Sequence, residues 1–209
     1  RLSRVFLQGG RWGLFLTLIA VAPLMVFGSE LITLYVGSEY QLAGTIMALL
    51  IVMFPLSQGV RMLFFIADAS ANNRGYSLSL LARSTFSLSL TLYLVGVLEM
   101  GALGAALGTA ITMVLFYPLL FWPLGLKIGM VDFTTFFKKT LGPGLLPFIV
   151  SLCTLFGLKH YFSIEGWLEI IGCITIGSAF YILVLLTVCL QSEDKQDLKK
   201  VIQAIRSHA

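Results

Sequence analysis

Six long apolar stretches, separated by short polar connections, are the feature that most constrains the fold of this chain. They run from Trp12 to about Val36, from about Ala43 to Ala67, from Gly75 to Leu98, from about Ala102 to Gly125, from Gly144 to Tyr161, and from Trp167 to Leu190. About 20 apolar residues in a helix cross about 30 Å of hydrocarbon. None of the stretches shows the alternation expected of a membrane β-strand. The sequence therefore predicts an all-α, polytopic membrane bundle of six transmembrane helices.

The composition excludes several classes of protein. Only 11% of the 209 residues are charged and 58% are hydrophobic, whereas soluble domains average about 25% charged residues. The basic residues are spread among apolar spans and form no single patch, so we expect membrane lipids and no nucleic acid as partners. The only histidines, His160 and His208, are far apart in the sequence. We therefore expect no metal and no cofactor.

The distribution of basic residues predicts the orientation of the chain in the membrane. If six spans alternate in direction, 13 of the 14 lysines and arginines fall at one face, and only Lys159 falls at the other. Basic residues gather at the cytoplasmic side of membrane proteins. We therefore predict that both termini of this chain are cytoplasmic. The opposite face collects the carboxylates of Glu30, Glu39, Glu99, Glu165 and Glu169.

Two segments are predicted to lie along the cytoplasmic surface as amphipathic helices. In residues 126–141, Asp132 is suited to cap a helix that carries Phe133, Phe136 and Phe137. In residues 191–209, Leu198, Val201, Ile202 and Ile205 follow helical spacing, and Glu193 and Asp194 suit the first turn. The last residues, past Arg206, are equally consistent with a frayed tail. The chain is thus divided into four transmembrane helices over residues 1–125, an interfacial segment over 126–141, two additional transmembrane helices over 142–190, and an amphipathic tail over 191–209.

The second and third spans contain charged residues within apolar sequence. In QGVRMLFFIADA (residues 58–69), Arg61 is predicted to lie about 9 Å inside its span, and Arg83 lies about 12 Å inside the next. Gln58, one turn from Arg61, extends the same polar face. Asp68 shares that face but lies about 10 Å away along the axis, too far to pair with Arg61 directly. Charge in hydrocarbon is costly, so these residues require an explanation.

Three interpretations of the two arginines remain open. Their long side chains can extend to the cytoplasmic headgroups. Alternatively, they form ion pairs with a helix outside this sequence. In the third interpretation they line a water-filled cavity, together with Gln58 and Asp68, because intramembrane charges commonly mark substrate or ion pathways. Arginine in such a cavity would suit a phosphate group, whose oxygens accept its planar array of N–H donors.

Two stretches of the sequence resemble a known family. The run PLMVFGSELITLYVGSEYQLAG resembles a helix-end signature of the polysaccharide, or O-antigen, flippases of the MOP superfamily. The matching positions are Glu30, the apolar run 31–36, Gly37 and Tyr40. The run MGALGAALGTAITMV is similar to the glycine- and alanine-rich start of a later helix in the same family. The resemblance covers most of residues 12–125, and the last two spans resemble the extra pair of fourteen-span members.

The resemblance implies both an architecture and a function. It implies that this chain is the C-terminal part of a fourteen-span transporter whose N-terminal helices precede it. It further implies a flippase that moves an undecaprenyl-diphosphate-linked oligosaccharide across the bacterial inner membrane. Such proteins alternate access around a cationic cavity, often with a proton or sodium gradient as the driver, and Arg61 and Arg83 would contribute to that cavity.

Two alternative functions are weighed against this one. The first is another MOP-type exporter, either a peptidoglycan-precursor flippase or a drug/cation antiporter. The second is a membrane enzyme that acts on lipid-linked sugars, for which Glu165 and Glu169, one helical turn apart, are the only candidate pair of carboxylates. As residues at the end of a span, they are more simply explained as solvated charges. We therefore expect a transporter without catalytic residues.

Overall fold

The computed structural model describes residues 2–69, 73–162, 166–190 and 194. These residues are almost entirely helical and contain no strand. Six of their helical stretches are long and apolar enough to span a membrane: Leu2–Val36, Ser38–Gln58, Asn73–Gly96, Gly101–Gly129, Phe133–Tyr161 and Trp167–Cys189. The predicted all-α bundle of six transmembrane helices is therefore confirmed.

Helix α1 (Leu2–Val36) lies at the centre of the bundle. It contacts α2 (Gln41–Ile51) on one side and α9 (Gly142–Tyr161) on another, and Leu14, Leu18 and Ala22 are fully buried between them. Helix α10 (Trp167–Val184) is joined to it by a hydrogen bond from the Tyr181 hydroxyl to the Phe15 carbonyl oxygen, at 3.0 Å. A helix that is apolar on all faces is expected in such a central position. It begins ten residues before the predicted start at Trp12.

The second apolar stretch is interrupted twice, although the sequence predicts one continuous span. After α2, the chain forms α3 (Phe54–Gln58), turns at residues 59–61, and continues as α4 (Met62–Ala69). Pro55 contributes to the interruption because it has no backbone donor and lies in the first turn of α3. The turn at Gly59 packs directly on α1, where a Cβ at Gly10 would overlap the carbonyl oxygen of Gly59. The close approach of two glycines thus accommodates the break.

Helices α5 (Asn73–Gly96) and α6 (Gly101–Phe116) form an antiparallel hairpin at the edge of the bundle. Gly104 and Gly108 allow the close contact, since a Cβ at Gly108 would lie 2.7 Å from Thr91 Oγ1. Beyond α6, a π-helical turn (Tyr117–Phe121) that contains Pro118 leads into α7 (Trp122–Gly129). The fourth span therefore continues past its predicted end at Gly125.

The boundaries around residues 126–141 differ from the prediction of a separate interfacial segment. Residues 126–129 complete α7, and α8 (Phe133–Phe136) continues through a π-helical turn (Phe137–Leu141) into α9. The predicted Asp132 cap is confirmed, because its carboxylate accepts a 2.8 Å hydrogen bond from the Thr135 amide. Phe136, however, is buried against Phe6 and Trp122 rather than exposed.

The helix after Asp132 stays continuous because the start of α1 supports it. Thr140 Oγ1 donates a hydrogen bond of 3.1 Å to the Leu7 carbonyl oxygen, and both residues are buried. The first turns of α1 thus cover Phe136, whereas Phe133 and Phe137 remain exposed. A π-helical turn (Leu185–Cys189) also follows α10. The predicted tail at residues 191–209 lies outside the described residues except for Asp194.

Candidate functional site

Two adjoining polar cavities open between helices α3 to α6. The Arg61 cavity, of about 350 Å³, is lined by Ser57, Gln58, Val60, Arg61, Leu63, Phe64, Phe65, Tyr76, Leu80, Tyr117 and Phe121. The Arg83 cavity, of about 330 Å³, is lined by Arg83, Ser84, Ser87, Leu88, Thr91, Thr109, Thr112 and Met113. Both are at the small end of the range for ligand pockets, about 300–1,000 Å³. Polar groups in such cavities within apolar spans are candidates for binding a polar cargo.

Arg61 lies in the turn between α3 and α4 and is exposed to its cavity. Its Nη1 is 3.4 Å from Gln58 Oε1, a long contact. Gln58 precedes Arg61 by three residues, so the guanidinium is directed back toward α3. The stem of Arg61 runs beside Gly13 of α1, which provides the room for it. The break in the helix therefore determines where the Arg61 side chain lies.

Arg83 lies ten residues into α5, about 15 Å from the start of that helix. It is half-buried, and its Nη1 is 3.4 Å from the hydroxyl of Tyr117 in the π-helical turn after α6. This contact runs across the helix pair, not along α5 toward its end. Tyr117 also lines the Arg61 cavity and packs on Phe121, with ring centroids 5.1 Å apart. Tyr117 thus connects the two cavities.

Neither cavity arginine forms an ion pair with a carboxylate in the described part of the chain. Two other basic residues do form such pairs. Arg11 Nη2 is 2.5 Å from Asp194 Oδ1, and Lys159 Nζ is 2.5 Å from Glu30 Oε1. Arg61 and Arg83 instead contact the neutral side chains of Gln58 and Tyr117. Their charge is therefore available to a ligand.

Asp68 is separated from the other three predicted site residues. Its carboxylate, exposed near the end of α4, accepts a 3.1 Å hydrogen bond from Asn73 Nδ2 at the start of α5, and it lines neither cavity. The prediction placed Asp68 on the same helix face as Arg61. In the structure, the Asp68 carboxylate is instead bonded to Asn73 of the next helix and is absent from the Arg61 cavity. Gln58 and Arg61 line one cavity, and Arg83 lines the adjoining one.

The sequence analysis missed the hydroxyl groups of the Arg83 cavity. Ser84, Ser87 and Thr91 recur at helical spacing along α5 and line the cavity beside Arg83. Thr109 and Thr112 of α6 face them, and their hydroxyls donate to the Ala105 and Gly108 carbonyl oxygens at 3.0 and 2.7 Å. The spacing of polar residues one turn apart, beginning at Arg83, was a signal that could have identified this face.

The chemistry of the two cavities favours binding over catalysis. They combine two guanidinium groups, several hydroxyls and the aromatic rings of Tyr76, Tyr117 and Phe121. The described lining residues include no carboxylate and no imidazole, which are the groups that most often act as general acids and bases. Arginine and hydroxyl donors together suit an anion that carries oxygen atoms.

Comparisons of this chain with protein-family models, with curated proteins and with solved structures find no match.

Proposed function

We propose that this chain belongs to a membrane transporter that moves an undecaprenyl-diphosphate-linked oligosaccharide across the bacterial inner membrane, with Arg61 and Arg83 binding the diphosphate. One observation carries the proposal. Arg83 lines one cavity from within the spanning helix α5, and Arg61 lines the adjoining cavity from the turn that follows the second spanning stretch. Neither guanidinium has a carboxylate partner in the described residues. An anionic cargo would compensate both charges.

Arginine is well suited to this cargo. Its planar guanidinium donates paired hydrogen bonds to phosphate oxygens and remains charged at any physiological pH. Arg83 contacts the Tyr117 hydroxyl, and Tyr117 lines the same cavity as Arg61. A diphosphate has two charged phosphate groups, and each of them could accept hydrogen bonds from one of the two guanidinium groups.

The openness of the cavities and the broken helix support translocation as the mechanism. Both cavities open at the surface of the described bundle, so a lipid tail can remain in the bilayer while the polar head occupies the cavities. The turn at residues 59–61, which contains Arg61, separates α3 from α4. Broken helices are common at the binding sites of transporters, where they provide hinges between inward- and outward-open states.

The direction of the side chains disfavours the simplest alternative. An arginine that extended to the headgroups of its own leaflet would point toward the nearer end of its helix. Arg61 instead contacts Gln58, and Arg83 contacts Tyr117 across the pair. A cationic drug as cargo is also disfavoured, because two unpaired positive charges would repel it. A peptidoglycan precursor carries a similar diphosphate and differs in its sugar and peptide.

The test uses the full-length protein in cells that depend on it for surface polysaccharide. Arg61→Ala and Arg83→Ala are each expected to abolish export while membrane abundance is unchanged. The matched control is Arg74→Ala, because Arg74 is exposed at the start of α5 and lines neither cavity. A parallel loss of abundance would indicate that the arginines are structural. Unchanged export in both variants would mean that they only contact headgroups.

A further inference from the structure

The two ends of the Arg83 cavity differ in their chemistry. Along α5, Ser84, Ser87 and Thr91 follow Arg83 toward the end of the helix at Gly96, so the cavity is cationic at one end and lined by hydroxyls beyond it. Ser84 and Thr91 are seven residues apart, which is about 10 Å along the helix. The charged end adjoins Tyr117 and the Arg61 cavity. A ligand bound along this cavity would need a charged end and a hydroxyl-bearing body.

The three α5 hydroxyls are free to interact with a ligand. Many serine and threonine side chains in these spans donate to the carbonyl one turn earlier, as Ser79, Thr154 and Thr175 do at 2.7–2.9 Å. Ser84, Ser87 and Thr91 form no hydrogen bond with any described residue, so their donors remain available. Across the cavity, the hydroxyls of Thr109 and Thr112 donate to carbonyl oxygens of their own helix, so their oxygen atoms can act only as acceptors for a ligand.

This arrangement complements a sugar. Each carbohydrate hydroxyl both donates and accepts hydrogen bonds, and the two walls of the cavity supply unsatisfied donors on α5 and acceptors on α6. Thr91 packs on Gly108 of α6 and lines the cavity at the end opposite Arg83. A volume of about 330 Å³ suits a single sugar residue rather than a long glycan.

We infer that the Arg83 cavity is a subsite for the sugar that carries the diphosphate, with the phosphates beside Arg83 and Tyr117 and the sugar ring against Ser84, Ser87 and Thr91. This inference rests on the proposed function and adds the orientation of the cargo. It also assigns recognition of the first sugar to α5. The remaining sugars extend out of the cavity, and the hydroxyl residues do not contact them.

The test measures binding of two probes to the purified full-length protein in lipid nanodiscs. One probe is undecaprenyl diphosphate, and the other is the same lipid with one N-acetylglucosamine. The wild-type protein is expected to bind the sugar-bearing probe about tenfold more tightly, because each added hydrogen bond contributes modestly. In the variant Ser84→Ala/Ser87→Ala/Thr91→Val, this preference is expected to disappear while the affinity for undecaprenyl diphosphate is unchanged.

The chain offers a matched control with the same three kinds of substitution. Ser77→Ala/Thr85→Val/Ser89→Ala alters exposed hydroxyls of α5 that line neither cavity, and it should keep the preference for the sugar. Thermal unfolding without ligand checks that both triple variants fold equally well. Equal binding of the two probes by the wild-type protein, or a preference that survives in the cavity variant, would overturn the sugar subsite alone. Failure of the wild-type protein to bind either probe would overturn the proposed function and the subsite together.

Discussion

The arginines of this bundle occupy two contrasting environments. Arg11 is 2% exposed, pairs with the fully buried carboxylate of Asp194 and donates a 2.9 Å hydrogen bond to the Lys139 carbonyl oxygen. Arg61 and Arg83 face open cavities and contact neutral side chains at 3.4 Å. Arg11 thus connects α1 with Lys139, near the start of the fifth span, and with Asp194, beyond the end of the sixth. The other two join nothing of opposite charge in the described structure.

The difference between them separates stability from function. A buried ion pair loses its hydration on both sides, so its net contribution is small, but removal of one partner leaves an uncompensated charge in the core. An arginine in an open cavity keeps access to water and needs no partner to fold. Removal of the Arg11 charge should therefore affect folding, and removal of the Arg61 or Arg83 charge should affect binding.

The largest effect is expected for Arg11→Ala. It removes the guanidinium that pairs with the buried carboxylate of Asp194, and we expect the free energy of unfolding to fall by about 3–5 kcal/mol. The measurement is the reversible unfolding of the purified full-length protein in detergent by heat or denaturant, together with its abundance in membranes. Arg83→Ala, measured in parallel, should unfold close to the wild-type temperature.

A double substitution sharpens this prediction. Replacement of both partners, Arg11→Met with Asp194→Leu, removes both charges and is expected to recover most of the lost stability, because apolar residues of similar size often replace a buried pair without loss. If Arg11→Ala were no more destabilising than Arg74→Ala, at an exposed arginine, the contrast between the two environments would be wrong.

The next effect concerns the break that determines the position of Arg61. In Gly10→Ala, the added methyl group would meet the carbonyl oxygen of Gly59, and both glycines are buried. We expect a loss of about 1–3 kcal/mol, typical of overpacking, and weaker binding of undecaprenyl diphosphate because the turn that carries Arg61 must shift. Unfolding and binding are measured on the same preparation.

The control for Gly10 is another glycine in a membrane span. A Cβ at Gly157 in α9 would meet nothing within 4 Å, so Gly157→Ala should be neutral or slightly stabilising, by up to about 1 kcal/mol from helix propensity. Equal effects of the two substitutions would show that the contact between Gly10 and Gly59 does not constrain the break.

The sequence predicted the number and type of helices but not how they are interrupted. Length and apolarity are properties of each segment alone, so six spans could be counted directly. The turn at residues 59–61 depends on α1, which is distant in the sequence, and only the close approach of Gly10 and Gly59 accommodates it. The position of Arg11 inside α1 also depends on a distant residue. Its partner Asp194 is 183 residues away, so nothing in the local sequence indicated that the first helix extends through Arg11.

The candidate site was predictable only where charge marked it. Arg61 and Arg83 were identified because an arginine in an apolar span is costly. Tyr117 and the α5 hydroxyls carry no such cost and are common in membrane helices, so their pattern was not distinguished from ordinary packing. Asp68 was misplaced because spacing along one helix could not show its hydrogen bond to Asn73 of the next helix. Each miss depends on a contact between helices or on a break within one.

The smallest effect is expected for Asp132, where a charge is held by local bonds alone. Hydrogen bonds from the side chain and backbone N–H of Thr135 hold the pKa of this exposed carboxyl below its ordinary value. Ionised Asp132 therefore stabilises α8 fully above the unfolded-state pKa of about 4, and this contribution is lost as the pH falls through the lower folded-state pKa.

The test compares the wild-type protein with Asp132→Asn, which keeps an acceptor at the cap but does not titrate. Thermal unfolding of both proteins is measured between about pH 6 and pH 2.5. The wild-type protein is expected to be slightly more stable at pH 6, because the ionised carboxylate lies at a helix N-terminus. It should lose that advantage as the pH falls through the pKa of Asp132. A difference that stayed constant with pH would show that hydrogen bonding at the cap, not its charge, stabilises the start of this helix.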